Sequence, residues 1–353
     1  MTDVDELATF AAIPAPTGAE GERLDWLERR LGGAPGHRHR DVAGNLIWSF
    51  AEGRPELLVM AHVDTVFDAS TELRFERDGD ALVGPGVGDN ATAVMAVVWA
   101  LEHIGASPGL VIAFTVAEEG LGNLRGARHV CGELAPELAI AVEGHGLDHV
   151  VTKHVGSVRA RVTVTGPGGH SWRDREIPSA LHELMALAAP LIMDGVNIGR
   201  MAGGGAVNAI ASEAEMFVEL RSLEDGELKR FEQRLGALSG TTPLSVACEV
   251  VGRRGAGRID SQHPLVRGVI AARRQLGLAE VYGDGSTDAN AAATLGIPAV
   301  GIGCANGSGM HTLHERIELS SLELGVAQLE TVLAGAVKER TARSARCPPA
   351  RPH

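Results

Sequence analysis

The stretch Glu56-Leu-Leu-Val-Met-Ala-His-Val-Asp-Thr-Val (56–66) joins an unbroken apolar run to two side chains that can take part in a metal site. Such a run is typical of a strand that is buried on both faces. Residues two apart on a strand point to the same side, so we expect His62 and Asp64 to act together. Open α/β sheets carry ligand sites at the carboxyl ends of their strands, where this pair lies. Taken alone, the pair is explained better as a buried ion pair.

The surrounding segments predict an α/β domain with a largely parallel sheet and flanking helices, because apolar strands alternate with helices. The clearest helix is predicted over 90–104, where apolar residues recur at helical spacing. The other helices of this domain are predicted over 5–12, 20–31, 264–276 and 320–338, and the other strands over 45–50, 110–116, 138–142 and 298–302.

The pattern changes between residues 155 and 263. Residues 157–165 alternate apolar and polar side chains, which is typical of a sheet with one face in water. The elements here follow the order βαββαβ, so we expect a small α+β domain inserted into the larger one. Its later elements are predicted over 177–192, 196–202, 214–222, 225–238 and 243–251. The larger domain then comprises 1–154 and 264–340, and 341–353 is predicted to be a disordered tail.

Composition and charge disfavour several classes of protein. The 353 residues carry a net charge of −13 and show no basic stripe, so we expect no nucleic-acid partner. The four cysteines form no Cys-x-x-Cys pair, which argues against a thiolate zinc site or a disulfide framework. The acidic N-terminus does not resemble a signal peptide, and no apolar stretch reaches the ~18 residues of a membrane span. We therefore expect a cytoplasmic protein with reduced thiols and no membrane partner.

Asp89 stands in the glycine-rich run Gly-Pro-Gly-Val-Gly-Asp-Asn-Ala (84–91), immediately before the predicted helix. As an isolated feature it is explained best as a helix N-cap, a position where Asp is preferred. A phosphate-binding loop is disfavoured because no Gly-Lys-Ser/Thr follows and an acidic residue at the helix start repels phosphate.

Carboxylates also follow the next two apolar strands. Glu118 and Glu119 come after the strand at 110–116, and Glu143 comes after the strand at 138–142. Two adjacent carboxylates at a buried strand end are costly unless a cation lies beside them. Near the end of the chain, either His311 or His314 could supply another ligand.

Together these segments predict a site for two metal ions. One carboxylate can bridge the metals, two histidines and two further carboxylates can complete the site, and Glu118 is left as a base. This donor set suits Zn²⁺, with Mn²⁺ or Co²⁺ as substitutes. Two metals about 3.5–4 Å apart can hold a hydrolytic water and polarise a carbonyl group.

The ordered motifs resemble those of the dinuclear zinc exopeptidase and deacylase family, over about residues 5 to 335. This family includes peptidase T, glutamate carboxypeptidase, aminoacylase, acetylornithine deacetylase and succinyl-diaminopimelate desuccinylase. The resemblance implies a zinc exopeptidase fold whose inserted domain is a lid that mediates homodimer formation. It also implies two zinc ions per subunit and hydrolysis of an amide bond in a small peptide or an N-acyl amino acid.

The resemblance further implies a role for each residue of the site. Asp89 becomes the bridging ligand, and Glu118 becomes the general base that activates the metal-bridging water. The strand spacing already indicates that Asp64 holds the second ring nitrogen of His62. His311 is preferred over His314 because the last histidine of the family precedes a glutamate by four positions. A cis peptide is implied between Asp89 and Asn90. The ligand sets are His62 with Glu143 for one metal and Glu119 with His311 for the other.

In the lid, Gly166-Pro-Gly-Gly-His-Ser-Trp (166–172) is similar to the Gly-Gly-His-Ser segment of the family. The similarity implies that His170 reaches the active site of a partner subunit and stabilises an oxyanion. Asn208 matches a substrate-binding asparagine, and Arg221 matches an arginine that is either structural or substrate-binding. Asp288 lies in a loop similar to one of the family, without a clear role. Two further arginines are interpreted as solvated loop residues rather than carboxylate binders, namely Arg254 and Arg258.

Two departures from the family pattern leave the substrate open. The segment 172–182 resembles a peptidase T-like branch, whereas Glu143 in place of Asp favours N-acyl-amino-acid deacylases. Aminopeptidase, carboxypeptidase and deacylase activities therefore all remain candidates. A non-catalytic binding relative is disfavoured because all five ligands are present, and a nucleotide-binding α/β enzyme is a further alternative.

Overall fold

The computed structural model describes residues 2–105, 107–240 and 242–346, with side chains described up to residue 335. The chain forms two compact units, residues 1–154 with 258–353 and residues 155–257. The helices are α1 (Val4–Ala11), α2 (Gly21–Arg30), α3 (Ala93–Ile104), α4 (Arg125–Leu134), α5 (Ala180–Met193), α6 (Asp225–Ala237), α7 (Pro264–Gln275), α8 (Ala289–Thr294) and α9 (Leu319–Arg346).

The strands include the long strands of two main sheets and several short strands of only two or three residues. They are β1 (His37–Arg40), β2 (Leu46–Ser49), β3 (Leu57–His62), β4 (Glu76–Asp78), β5 (Ala81–Val83), β6 (Leu110–Thr115), β7 (Leu138–Glu143), β8 (Val150–His154), β9 (Gly156–Thr165), β10 (Gly169–His170), β11 (Asn197–Gly203), β12 (Ala209–Ile210), β13 (Glu213–Ser222), β14 (Ser245–Arg254), β15 (Gly257–Arg258), β16 (Tyr282–Gly285), β17 (Ala299–Gly303), β18 (Gly307–Ser308) and β19 (Arg316–Glu318).

The larger unit is built on a mixed, largely parallel sheet in the order β1-β2-β6-β3-β7-β17-β8-β15, with β16 beside β8. Strand β3 is parallel to both of its neighbours, β6 and β7. Leu57, Val59 and Ala61 of β3 belong to one core cluster, whereas Leu58 and Met60 belong to another. The apolar run of β3 is therefore buried on both faces, and the predicted fold class is confirmed.

Helices cover both faces of this sheet. Helix α9 packs against α3 and α7 on one face, and α4 packs against α8 on the other. Every residue of α3 from Ala93 to Leu101 is buried, which explains why its sequence is apolar on all sides. A small antiparallel sheet, β18-β19-β5-β4, joins the end of the chain to the segment before α3.

The smaller unit is an antiparallel sheet in the order β11-β13-β9-β14 with α5 and α6 packed against it. In β9, Val158, Ala160 and Val162 are buried, whereas Arg159 and Arg161 between them are partly exposed. This alternation places one face against the helices and the other in water. The long elements follow the predicted βαββαβ order.

Several boundaries differ from those that the sequence indicates. The smaller unit ends at Gly257 rather than 263, because β15 returns the chain to the main sheet. Helix α9 continues to Arg346, so residues 341–346 are helical although a tail was predicted from 341; residues 347–353 lie outside the described part. Among the described residues, the free cysteines are Cys131, Cys248 and Cys304.

The two arginines interpreted as solvated loop residues differ in the structure. Arg254 is only 3% exposed and ends β14, where it pairs with Ser157 of β9, so the interpretation is wrong for this residue. The strand continues three residues beyond the predicted end at 251 and takes Arg254 into the packed part of the unit. Arg258 in β15 is exposed.

Candidate metal centre

The parallel strands of the larger unit bring the candidate residues to one edge of the sheet. His62 is the last residue of β3, Glu143 is the last residue of β7, and Glu118 follows β6 by three positions. Because β3 lies between β6 and β7 in parallel register, their carboxyl ends meet at the same edge. His62 is directly opposite Thr115, the last residue of β6. Sheet topology alone therefore brings three of the segments together.

Two further segments reach this edge from outside the main sheet. Asp89 lies in an irregular helical turn, Val87–Thr92, that precedes α3. His311 lies in the loop between β18 and β19, and β19 pairs with β5, which runs just before the Asp89 turn. The small sheet thus places His311 beside Asp89, although 222 residues separate them in the chain.

Asp89 is shared by two clusters of histidine and carboxylate groups. Its Oδ1 lies 3.1 Å from His62 Nε2, and its Oδ2 lies 2.9 Å from His311 Nε2. His62 Nε2 is also 3.7 Å from Glu143 Oε2, and His311 Nε2 is 3.2 Å from Glu119 Oε1. Each oxygen of Asp89 therefore faces a different imidazole, and each imidazole nitrogen faces a second carboxylate.

The convergence of these atoms fits a divalent metal ion. One ligand atom from each of His62, Asp89 and Glu119 lies within 4.8 Å of the other two. A neutral imidazole carries at most one hydrogen on Nε2, so hydrogen bonding cannot fully satisfy two carboxylates there. Imidazole nitrogens and carboxylate oxygens together suit Zn²⁺, Mn²⁺ or Co²⁺.

Asp64 connects the end of β3 to the turn that carries Glu118 and Glu119. Its Oδ1 accepts the Glu118 amide and its Oδ2 accepts the Glu119 amide, each at 3.0 Å. His62 Nδ1 is 3.2 Å from the Asp64 carbonyl oxygen and 3.4 Å from Oδ1, so both groups face that nitrogen. Burial alone would raise the pKa of Asp64, but the hydrogen bond from His62 and the two amides lower it.

The turn around Asp89 is held by Glu315, a residue with no exposed surface. Glu315 Oε2 accepts the Gly86 amide and Oε1 accepts the Asp89 amide, each at 2.8 Å. His145 Nε2 lies 2.6 Å from the same Oε1. The backbone that carries Asp89 is therefore anchored independently of the Asp89 side chain.

Asn90 links the Asp89 turn to the end of β7. Its Nδ2 donates to the Val142 carbonyl at 3.0 Å, and its Oδ1 accepts the Gly144 amide at 2.8 Å. Asn90 therefore holds the backbone on both sides of Glu143. The peptide bond between Asp89 and Asn90 is cis, as the family resemblance implied.

Glycines allow these segments to touch. A Cβ on Gly144 would lie 1.7 Å from the Gly88 carbonyl oxygen, and a Cβ on Gly88 would lie 2.1 Å from His145 Nε2. The roles of Asn90, His145 and Glu315 were not recognised in the sequence. The available signal was the glycine that lies within two residues of Asp89, Glu119, Glu143 and His311, because a close approach of two backbones needs glycine.

The interpretation of Asp89 as a helix N-cap is wrong. Asp89 and Asn90 have non-helical backbone angles, and α3 begins only at Ala93. The Asp89 carboxylate is turned toward the two imidazoles instead of the first amides of the helix. The two histidines, which come from distant parts of the chain, therefore determine the orientation of the Asp89 carboxylate.

Electrostatic coupling in the cluster shifts several pKa values. Burial alone would lower the pKa of His62, but hydrogen bonds to Asp64, Asp89 and Glu143 raise it well above its ordinary value. Hydrogen bonds to Asp89 and Glu119 raise the pKa of His311 to about 10. Burial raises the pKa of Glu143 to about 8 and also raises that of Glu119. A metal ion held by these groups would therefore displace protons from them at neutral pH.

The other predicted residues are distributed over both units. His314 is exposed, and its amide donates to Thr312 Oγ1, whereas His311 contacts Asp89 and Glu119. Asp288 is buried in the larger unit, where it accepts a hydrogen bond from Thr115 Oγ1 at 2.5 Å.

The predicted lid residues all lie in the smaller unit. His170 and Asn208 are close together there, because the Ser171 amide donates to the Asn208 carbonyl at 3.0 Å. Both side chains are exposed. Arg221, near the end of β13, donates from Nε to Glu219 Oε2 at 3.0 Å, which is a local pairing.

The fold and this site agree with comparisons to known proteins. The sequence pattern of Peptidase family M20/M25/M40 matches residues 58–335. The succinyl-diaminopimelate desuccinylase of Xanthomonas campestris is 24% identical over 364 residues, which cover 93% of this chain and 96% of that protein.

Two solved peptidase structures have the same fold. A tripeptidase from Staphylococcus aureus superposes with a TM-score of 0.78 at 21% identity, covering 95% of this chain and 98% of that one. An M20 family metallo-carboxypeptidase from Sulfolobus solfataricus also gives a TM-score of 0.78, at 14% identity, covering 96% and 100%. The protein belongs to Peptidase family M20/M25/M40 and is a metal-dependent hydrolase of amide bonds. Within the described part of the chain, no helix is long and apolar enough to cross a bilayer.

The pKa shifts predict how pH affects the protein after metal removal. His311 and Glu143 both have raised pKa values, so the folded state holds protons that the unfolded chain releases. Stability contributed by these protons is present at low pH and is lost as pH rises, between the ordinary value of 4.5 and about 8 for Glu143 and between 6.5 and about 10 for His311. We expect the Tm of chelator-treated protein to fall from about pH 6 to about pH 9.

Thermal unfolding of two histidine variants tests this pH dependence of Tm in chelator-treated protein. His311→Ala should flatten the decrease of Tm with pH, whereas His314→Ala should retain it, because His314 is exposed and does not face the carboxylates. A Tm that rises over this pH range in chelator-treated protein would contradict the prediction.

Proposed function

We propose that the protein is a two-zinc exopeptidase that cleaves an amide bond of a small peptide. The observation that carries the proposal is the division of Asp89 between two imidazoles, with Oδ1 facing His62 and Oδ2 facing His311. Such a carboxylate is suited to bridge two metals. In this proposal His62 and Glu143 complete one metal site, and Glu119 and His311 complete the other.

Glu118 is the general base in this proposal. Its backbone amide is fixed by Asp64, and its side chain is 5% exposed next to the ligand Glu119. Two bound zinc ions would polarise the substrate carbonyl and lower the pKa of water. Glu118 then accepts the proton of the attacking water on its carboxylate and delivers it to the leaving amine.

His170 is proposed to stabilise the oxyanion that forms on the substrate. Its Nδ1 accepts the Trp172 amide at 3.2 Å, so the neutral ring carries its proton on Nε2. The exposed Nε2–H is then a donor for an oxygen of the substrate. By the family resemblance, His170 of the partner subunit serves this role in a homodimer formed through the smaller unit, with Asn208 and Arg221 as substrate-binding residues.

A deacylase that acts on N-acyl amino acids is the second candidate. It is favoured by Glu143 as the terminal ligand and by the sequence similarity to a succinyl-diaminopimelate desuccinylase. The same catalytic residues would serve both reactions, because both hydrolyse an amide bond. Either activity is proposed to take place in the cytoplasm.

The roles of Asp89 and Glu118 can be separated by substitution. Asp89→Ala removes the proposed bridging ligand, so we expect the purified variant to hold far less zinc than the unsubstituted enzyme. Glu118→Gln keeps the ligands, so we expect two zinc ions per chain and a kcat lowered by about 10²–10⁴-fold. Elemental analysis and steady-state kinetics measure the two effects.

Glu323→Gln is the matched control, because this glutamate is exposed on α9. It should leave both zinc content and kcat unchanged. Full activity of Glu118→Gln with zinc retained would refute the base assignment, and full zinc content in Asp89→Ala would refute the bridging role.

A substrate panel distinguishes the two candidate activities. Dipeptides, tripeptides and N-acyl amino acids with matched side chains should be tested with Zn²⁺, Mn²⁺ and Co²⁺. We expect the highest kcat/KM for a di- or tripeptide and loss of activity on chelation, with Glu118→Gln as the blank. A higher kcat/KM for N-acyl amino acids would favour the deacylase, and no turnover of any amide would reject both.

A further inference from the structure

The turn that follows β6 is held through its backbone amides by side chains from elsewhere in the larger unit. Each of the amides from Val116 to Glu119 donates a hydrogen bond of 3.0 Å to a side-chain oxygen. The acceptors are Asn45 Oδ1 for Val116, Glu20 Oε1 for Ala117, Asp64 Oδ1 for Glu118 and Asp64 Oδ2 for Glu119. Four consecutive amides of this turn therefore depend on three side chains.

Ala117 is the residue of this turn that most needs external support. It has a φ of +53° and is 2% exposed. Residues other than glycine rarely adopt this left-handed region, and they persist there only where the surroundings impose it. The hydrogen bond from the Ala117 amide to Glu20 supports the left-handed conformation, because it fixes the peptide plane that precedes Ala117.

Glu20 is itself held in place. It is 4% exposed, and its Oε1 also accepts the Gly18 amide at 2.7 Å, in the segment between α1 and α2. A buried carboxylate needs such donors, because burial without them is costly. Two backbone amides therefore hold Glu20 Oε1, and Glu20 joins the N-terminal segment to the turn at residues 116–119.

Asn45 holds the other end of the turn in a similar way. It has no exposed surface, and its Nδ2 donates to Asp41 Oδ2 at 2.7 Å and to the Gly126 carbonyl at 3.0 Å. Its Oδ1 is therefore oriented toward Val116 by two other contacts. The strand before the turn and the start of α4 after it are thus tied to the same side chain.

We propose that Glu20 and Asn45 are positioning residues for Glu118 and Glu119. Glu20 maintains Ala117 in the left-handed conformation, and this conformation determines the direction in which the next two side chains leave the backbone. The inference rests on the proposed roles of Glu118 as base and Glu119 as ligand. Glu20 and Asn45 accept backbone amides of the turn, so both act through the turn.

Loss of the Glu20 carboxylate should displace the catalytic turn without emptying the whole site. We expect Glu20→Ala to lower kcat by about 10- to 100-fold with a much smaller change in KM, because small misplacements of a reacting group are costly. The metal bound through Glu119 should be held more weakly than the one bound through Glu143. Glu20→Gln retains an oxygen acceptor and should remain close to the unsubstituted enzyme.

Hydrogen exchange provides a readout that does not depend on activity. In both metal-free and zinc-loaded protein, Glu20→Ala should accelerate amide exchange in a peptide that covers residues 116–119, while β3 and α3 keep their protection. The matched control is Glu22→Ala, an exposed glutamate two residues later in the first turn of α2, which should change neither exchange nor kcat. If no amide substrate is found for the enzyme, exchange and zinc affinity still test the positioning role.

A second substitution tests the route through Ala117. Glycine adopts a positive φ without steric cost, so Ala117→Gly in the Glu20→Ala background should recover part of the lost kcat and zinc affinity. Unchanged exchange over 116–119 in Glu20→Ala would overturn the proposal. So would exchange raised uniformly across the larger unit, or a double variant no better than Glu20→Ala.

Discussion

The structure of this site is governed by the number of carboxylates that meet at one edge of the main sheet. Asp89, Glu118, Glu119 and Glu143 converge there in a region that is largely buried. Like charges so close together are unfavourable unless cations or hydrogen-bond donors compensate them. The surrounding side chains and backbone amides supply hydrogen-bond donors to these carboxylates or hold them in position.

The carboxylates divide into two groups according to what faces them. Asp64 and Glu315 each accept a backbone amide on both oxygens in addition to facing one imidazole, so the protein satisfies them by itself. Asp89, Glu119 and Glu143 are turned toward imidazole nitrogens and leave a set of converging ligand atoms. The first group fixes the backbone, and the second is left for metal ions. This separation allows the ligand segments to be ordered by contacts that do not involve a metal.

Much of the framework could be predicted from local sequence patterns. The apolar run of β3 indicated a strand buried on both faces, and the alternation in β9 indicated a sheet with one wet face. Prediction was poorer where a side chain had two plausible local uses. Asp89 resembled an N-cap because its true contacts are with residues far away in the chain. Arg254 resembled a loop residue because the length of β14 depends on its pairing with β9.

The sequence by itself determined the layered fold class and the residue types of the site, because burial periodicity and ligand chemistry are properties of short segments. Only the tertiary structure decided which oxygen of Asp89 faces which imidazole. The tertiary structure also decided which side chains accept the amides of Val116 and Ala117. These acceptors, Asn45 and Glu20, come from segments with no ligand motif. Such contacts depend on how distant segments pack together, and no local periodicity encodes them.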